Sequence, residues 1–143
     1  MVKSRTAGCR CRVEFARDFR RTLKSRLSIH EDPAMNISGI PFGVTDWAQI
    51  EPVEYPGVTG TATWRTQEFG GMRVRMVEYS AGYLADHWCS KGHIVLVLEG
   101  EFESELADGR KFRLTRGMSY QVADNAEAHR SSTAQGVKLF IVD

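Results

Sequence analysis

The chain has 143 residues, 42% of them hydrophobic and 26% charged, with a net charge of +1, which suits one globular domain with a single sizeable core. No apolar run approaches the roughly 20 residues of a membrane-spanning helix, which excludes one; the longest, Ile94 to Leu98, has the length of a buried strand. The small net charge averages two unlike segments.

Residues 1–34 carry nine Lys/Arg against four acids, whereas residues 35–143 carry ten against fourteen, giving +5 and −4. The first segment is a basic arm on a mildly acidic domain. It has no apolar stretch after its charges, so it is not a secretory signal, and Glu14 and Asp18 speak against an organellar transit peptide. It lacks the interleaved aromatics of a nucleic-acid or lipid-binding arm. It reads as a disordered extension, or as a mis-assigned start with Met35 as the true one. Cys9-x-Cys11 with no second pair is weak as a zinc signature, and three cysteines point to no disulfide framework. Reduced thiols and a cytoplasmic setting follow as expectations.

From residue 35 to 143 the chain reads as one all-β domain. Turn signals recur at Pro56-Gly57, Gly70-Gly71, Lys91-Gly92, Gly100, Asp108-Gly109 and Arg116-Gly117, separated by short segments rich in β-branched and aromatic residues. Strands are predicted near 61–66, 72–79, 84–89, 93–98, 101–106, 111–114, 118–122 and 136–142, with one helical turn at Thr45 to Ile50. Glu101, Glu103 and Glu105 alternate with Phe102, Ser104 and Leu106, so that strand has one solvated and one buried face. The strand at 93–98 is apolar on both faces, which calls for a cover on each side: a barrel interior on one and a second sheet or a dimer partner on the other, and a homodimer is expected. Arg73 and Arg75 share one face of 72–79, read as solvated barrel exterior, with recognition of an anion as the alternative. Met118 and Tyr120 share one face of 118–122, with Ser119 and Gln121 on the other.

Three histidines lie in the domain. In Asp86-His87-Trp88-Cys89-Ser90-Lys91-Gly92-His93, a strand over 84–89 puts His87 and Cys89 on one face. The turn at Ser90 to Gly92, structural in itself, then brings His93 beside them. Imidazole, thiolate and imidazole suit a transition metal, with His129 arriving from a remote strand. Each of these residues alone can equally be an ordinary surface or core residue, and Cys89 a small hydrophobe. Asp86 reads as a solvated carboxylate and Trp88 as packing that faces away from the metal.

From Gly82 onward the chain resembles the cupin superfamily, and within it the small branch known as the DHCW-motif cupins. Gly82, His87, Cys89, His93 and Gly100 follow the first cupin motif, with four residues rather than five before His87, Cys89 in place of the second histidine and His93 in place of the glutamate. Gly109, Thr115, Gly117 and His129 follow the second motif, with Thr115 where proline is usual. The resemblance covers about residues 82–130. It implies a double-stranded β-helix, a jelly-roll barrel, with one divalent metal held by His87, Cys89, His93 and His129.

The exchanged ligands are softer than those they replace, which favours Zn²⁺, then Fe²⁺ or Ni²⁺, and disfavours Mg²⁺ and Ca²⁺. If Cys89 binds, the site closes into a structural or sensing tetrahedron. If it stands off, a position stays open for water or substrate. The expected function is that of a metalloenzyme acting on a small organic molecule, of dioxygenase, isomerase or lyase type. The alternative is a non-catalytic metal or small-ligand binder. The resemblance implies that Met76, Glu78 and Tyr120 lie on strands lining the barrel, and Tyr120 is the candidate catalytic side chain; neither nucleic acid nor membrane is expected as a partner.

Overall fold

The computed structural model describes residues 39–143, so the basic arm (1–34), Cys9, Cys11 and His30 lie outside the described residues. A 3-10 turn at Trp47–Gln49, capped by the Asp46 carboxylate accepting from Ala48 N–H at 3.0 Å, precedes eight strands. These are β1 (Val53–Pro56), β2 (Thr61–Phe69), β3 (Met72–Tyr79), β4 (His93–Leu106), β5 (Lys111–Thr115), β6 (Ser119–Val122), β7 (His129–Ser132) and β8 (Val137–Val142). All strand pairings are antiparallel, and the order β1-β2-β3-β8-β4-β5 is completed by β6 and β7, each paired with β4. Among the described residues no helix is long and apolar enough to cross a membrane.

The strand β4 makes the architecture. Its first half pairs with β6 and β8, and its second half with β5 and β7, so one strand serves two sheets. A register shift between Val97 and Glu99 and a positive φ of 74° at Gly100 turn it from one to the other. A side chain at Gly100 would meet the Gly136 carbonyl oxygen at 2.5 Å, so this corner needs glycine on two counts. The segments predicted at 93–98 and 101–106 are therefore one bent strand.

Between the two sheets lies the core: Val77, Val95, Val97, Phe102, Leu114, Val137, Leu139 and Ile141. The Glu101, Glu103 and Glu105 face is solvated as expected, and each pairs across the sheet with Arg113, Lys111 and Arg130 respectively. Outward on β4, Ile94 and Leu96 stay exposed while Val95 and Val97 are buried.

Two predictions about strands need correction. Residues 84–89 form no strand, because only Leu84 and Cys89 make β-bridges, to Ser132 and His129 of β7. Four residues separate Leu84 from Cys89 but two separate His129 from Ser132, so two extra residues must bulge out, at the Asp86-His87 bend. The strands β1 and β7 escape a pattern reading, since β1 ends in Pro56 and β7 is His-Arg-Ser-Ser.

Arg75 is also misread as barrel exterior. It shares its inward face of β3 with Val77, is 5% exposed, and lies over the Trp64 ring with its guanidinium carbon 4.4 Å from the ring centre. Met76 and Glu78 take the opposite parity, and Glu78 pairs with Arg65 at 3.3 Å.

Candidate metal centre

Cys89 and His129 are neighbours because their backbones exchange both hydrogen bonds of an antiparallel pair. Cys89 N–H donates to the His129 carbonyl at 2.7 Å, and His129 N–H to the Cys89 carbonyl at 3.0 Å. Residues so paired carry their side chains on one side of the ladder. His93 arrives from the start of β4. Its turn is anchored by Gly92 N–H donating to the Asp124 carboxylate at 2.7 Å and Asn125 N–H donating to the Ser90 carbonyl at 2.8 Å. Gly92 lies so close to Asp124 that a Cβ there would stand 2.5 Å from the Asp124 nitrogen. The result is one donor atom each from Cys89, His93 and His129, all within 4.8 Å of one another.

Local chemistry suits a cation at this point. His129 Nδ1–H donates to the Glu127 carbonyl at 2.8 Å, which leaves Nε2 as the free lone pair when the ring is neutral. That Nε2 faces His93 Nε2 at 2.9 Å. Two imidazole lone pairs so close require a proton or a cation between them. Bond lengths of about 2.0–2.1 Å to zinc in a tetrahedron separate two nitrogens by about 3.3–3.4 Å, so the rings part by a few tenths of an ångström to admit one. The His129 imidazole beside it holds the Cys89 thiol below its usual pKa, which favours the thiolate that metals take. The Cys89 partner in turn raises His129. Burial, with the like charge of His129, lowers His93 to about 4, so its ring stays neutral.

Tyr120 joins this group. Its hydroxyl lies 2.8 Å from His93 Nε2, and burial pushes its pKa well above the usual phenol value. The register explains the contact: Tyr120 pairs with Val95, so it stands diagonally across from His93 on the inner face.

His87 is placed differently from the other three. The bulge leaves its ring exposed, with Nδ1 2.6 Å from the Asp86 carboxylate, and it is not part of the three-donor group. It nevertheless lines the same cavity as Cys89, His93 and His129. Asp86 accepts from Nδ1–H and so leaves the His87 Nε2 lone pair for other use. Trp88 is exposed and carries the Arg130 guanidinium 4.6 Å from its ring centre. Pattern reading did not single out Trp64, Tyr79, Tyr83 or Arg130, all of which line this cavity. Of these only Trp64, on an alternating strand, carried a signal.

The cavity holding the donors is small, about 90 Å³. A larger cleft of about 440 Å³ adjoins it, walled by Phe112, Leu114 and Met118 and sharing Tyr120 and His129. The candidate ligands converge in the smaller space, and the larger one lies beside it.

No family model and no curated protein matches the chain by sequence. Solved structures do match it by shape. An ectoine synthase from P. lautus is 20% identical, with a TM-score of 0.58 over 71% of this chain and 76% of that one. An RmlC-like cupin from Shewanella frigidimarina is 20% identical, with a TM-score of 0.56 over 72% and 90%. A sugar phosphate isomerase from a cupin superfamily, from Silicibacter pomeroyi, is 16% identical, with a TM-score of 0.56 over 70% and 74%.

Proposed function

Since this chain has the cupin fold, a jelly-roll barrel, we propose that it is a metal-dependent enzyme acting on a small organic molecule by isomerase, lyase or dioxygenase chemistry. One observation carries the reading: Cys89, His93 and His129 offer three converging donors, with the Tyr120 hydroxyl 2.8 Å from His93 Nε2. Three protein ligands are the number that leaves a position open for water or substrate. The donor set of one sulfur and two nitrogens favours zinc, with iron or nickel next.

When bound, such an ion supplies Lewis acidity and lowers the pKa of a coordinated water to ~7. The protein's own residues do the rest. The Glu127 carbonyl fixes the His129 tautomer, and the buried Tyr120 keeps its proton at neutral pH and can donate a hydrogen bond to an oxygen that gains charge. Two of the similar structures are enzymes by name, a synthase and an isomerase, which supports the catalytic reading.

The second reading is a closed, non-catalytic centre for metal or small-ligand binding. The Asp86–His87 pair on the cavity wall favours it, because His87 as a fourth donor would fill the open position. Metal content of protein purified without chelator, measured beside the His87→Ala variant, tests both. Metal retained in that variant with exchangeable water supports the enzyme. Joint loss of metal and thermal stability supports the closed centre, and protein that takes up no metal under reducing conditions overturns both.

The exposed Ile94 and Leu96 lie beside Phe140 and Val142 on the outer face of the sheet. We assign this face to a homodimer contact with a second copy of the chain.

A further inference from the structure

Two residues that line the donor cavity carry buried hydrogen-bond donors with no acceptor among the described residues, Arg75 Nε–H and the Trp64 indole N–H. Their situation follows from how three charges are shared. Asp143 gives a two-point contact to Arg73, at 2.9 Å to Nε and 2.7 Å to Nη2, and only one contact to Arg75, at 2.7 Å to Nη2. Two cations thus share one side-chain carboxylate, and Arg75 is left with Nε–H unmatched. Trp64 is fixed between Tyr55, at 4.4 Å between ring centres, and the Arg75 guanidinium. No Asp or Glu lines this cavity. Unpaired buried donors are costly, and an anionic acceptor satisfies the vacant N–H groups.

We propose that the cavity receives a small carboxylic acid, its carboxylate accepting from Arg75 Nε–H and the Trp64 indole N–H, with the body of the acid toward Cys89, His93 and His129. The carboxylate has an oxygen for each donor, and its contacts to the guanidinium are of the charge-assisted kind. Size limits the acid. A cavity of about 90 Å³ is smaller than the ~150 Å³ that holds benzene, so the substrate is an acid of a few carbon atoms, unless it also extends into the adjoining cleft. This assignment rests on the metal-centre reading for the identity of the reacting end, but the acid-binding wall is separate from the donor atoms.

The test is thermal shift and calorimetric titration of zinc-loaded and metal-free protein with propanoate against propanamide. Propanoate is expected to bind and raise the melting temperature, and its neutral isostere to do neither. Trp64→Phe keeps an aromatic ring between Tyr55 and Arg75 but removes the N–H together with part of the indole. It is expected to lower the unliganded melting temperature through lost packing, and in the folded variant to weaken propanoate about 10- to 100-fold. Equal binding of acid and amide, no binding of either, or undiminished propanoate affinity in Trp64→Phe overturns the inference. Elemental analysis of the same samples separates the two claims. Propanoate binding by a chain that takes up no metal keeps the acid site and removes the metal centre. Bound zinc without preference for the acid does the reverse.

Discussion

Tyr120 and a metal compete for one nitrogen. The Tyr120 hydroxyl sits 2.8 Å from His93 Nε2, the same nitrogen that lies 2.9 Å from His129 Nε2 and faces the donor group. A nitrogen that coordinates an ion cannot also share a hydrogen bond with a phenol, so loading the centre frees the Tyr120 hydroxyl. Tyr120→Phe is therefore expected to bind zinc more tightly, by about 2- to 10-fold, the equivalent of one net hydrogen bond. Competition with a chromophoric chelator measures this. Unchanged or weaker binding would mean that His93 presents its other nitrogen to the metal.

His87 and His129 should differ sharply on substitution. His129 is buried within the three-donor group, whereas His87 is exposed at the bend and bonded to Asp86. His129→Ala is expected to cost metal affinity beyond the roughly 100-fold that loss of an outer partner costs, and His87→Ala less than about 10-fold. Equal losses for the two variants would place His87 among the direct ligands and close the centre.

Local pattern carried much of the fold and part of the centre. The doubly apolar run at 93–98 and the charged face of Glu101 to Glu105 are properties of neighbouring residues, so alternation displays them, whereas the inward side of Tyr120 comes only from the family resemblance. The pairing of Cys89 with His129 joins residues that no local period connects; only the order of the two motifs hints at it. His87 illustrates a different failure, because a two-residue bulge breaks the period-2 rule that places it beside Cys89. Arg75 is a third kind: β3 carries apolar residues on both faces, Val74 and Met76 against Val77, so its parity was undecided until the sheet packed.

Acid should weaken the fold through Asp143. Burial alone would raise its carboxyl pKa, but hydrogen bonding from Arg73 and the charges of Arg75 and Arg73 outweigh it and leave the folded value below the ordinary one. The unfolded chain thus binds this proton first as pH falls. The stabilisation is complete above the unfolded value of about 3.9 and is lost as pH drops through the folded one. Asp143→Asn is expected to remove this acid-dependent loss and to cost about 3 kcal/mol at neutral pH, because Arg75 keeps a buried charge without its anion. Urea midpoints of both proteins at pH 7 and in acid measure it; a parallel pH dependence in the variant would assign the acid response to other carboxylates.

The outer face of β4 gives the last expectation. Ile94 is 56% exposed and Leu96 36%, side by side with Phe140 and Val142, and Trp47 packs edge-on against Phe140 at 6.1 Å between ring centres. An apolar strip of this kind on a sheet face favours association, and a stable contact needs about 800 Å² per partner. Neither residue contributes to the core between the sheets, so a charge at either position leaves the folded barrel intact while opposing contact between copies. Ile94→Lys combined with Leu96→Glu is expected to halve the mass seen by analytical ultracentrifugation, with the metal content unchanged. A wild-type protein that sediments as a single chain at every concentration would show that another occupant covers this face, or none.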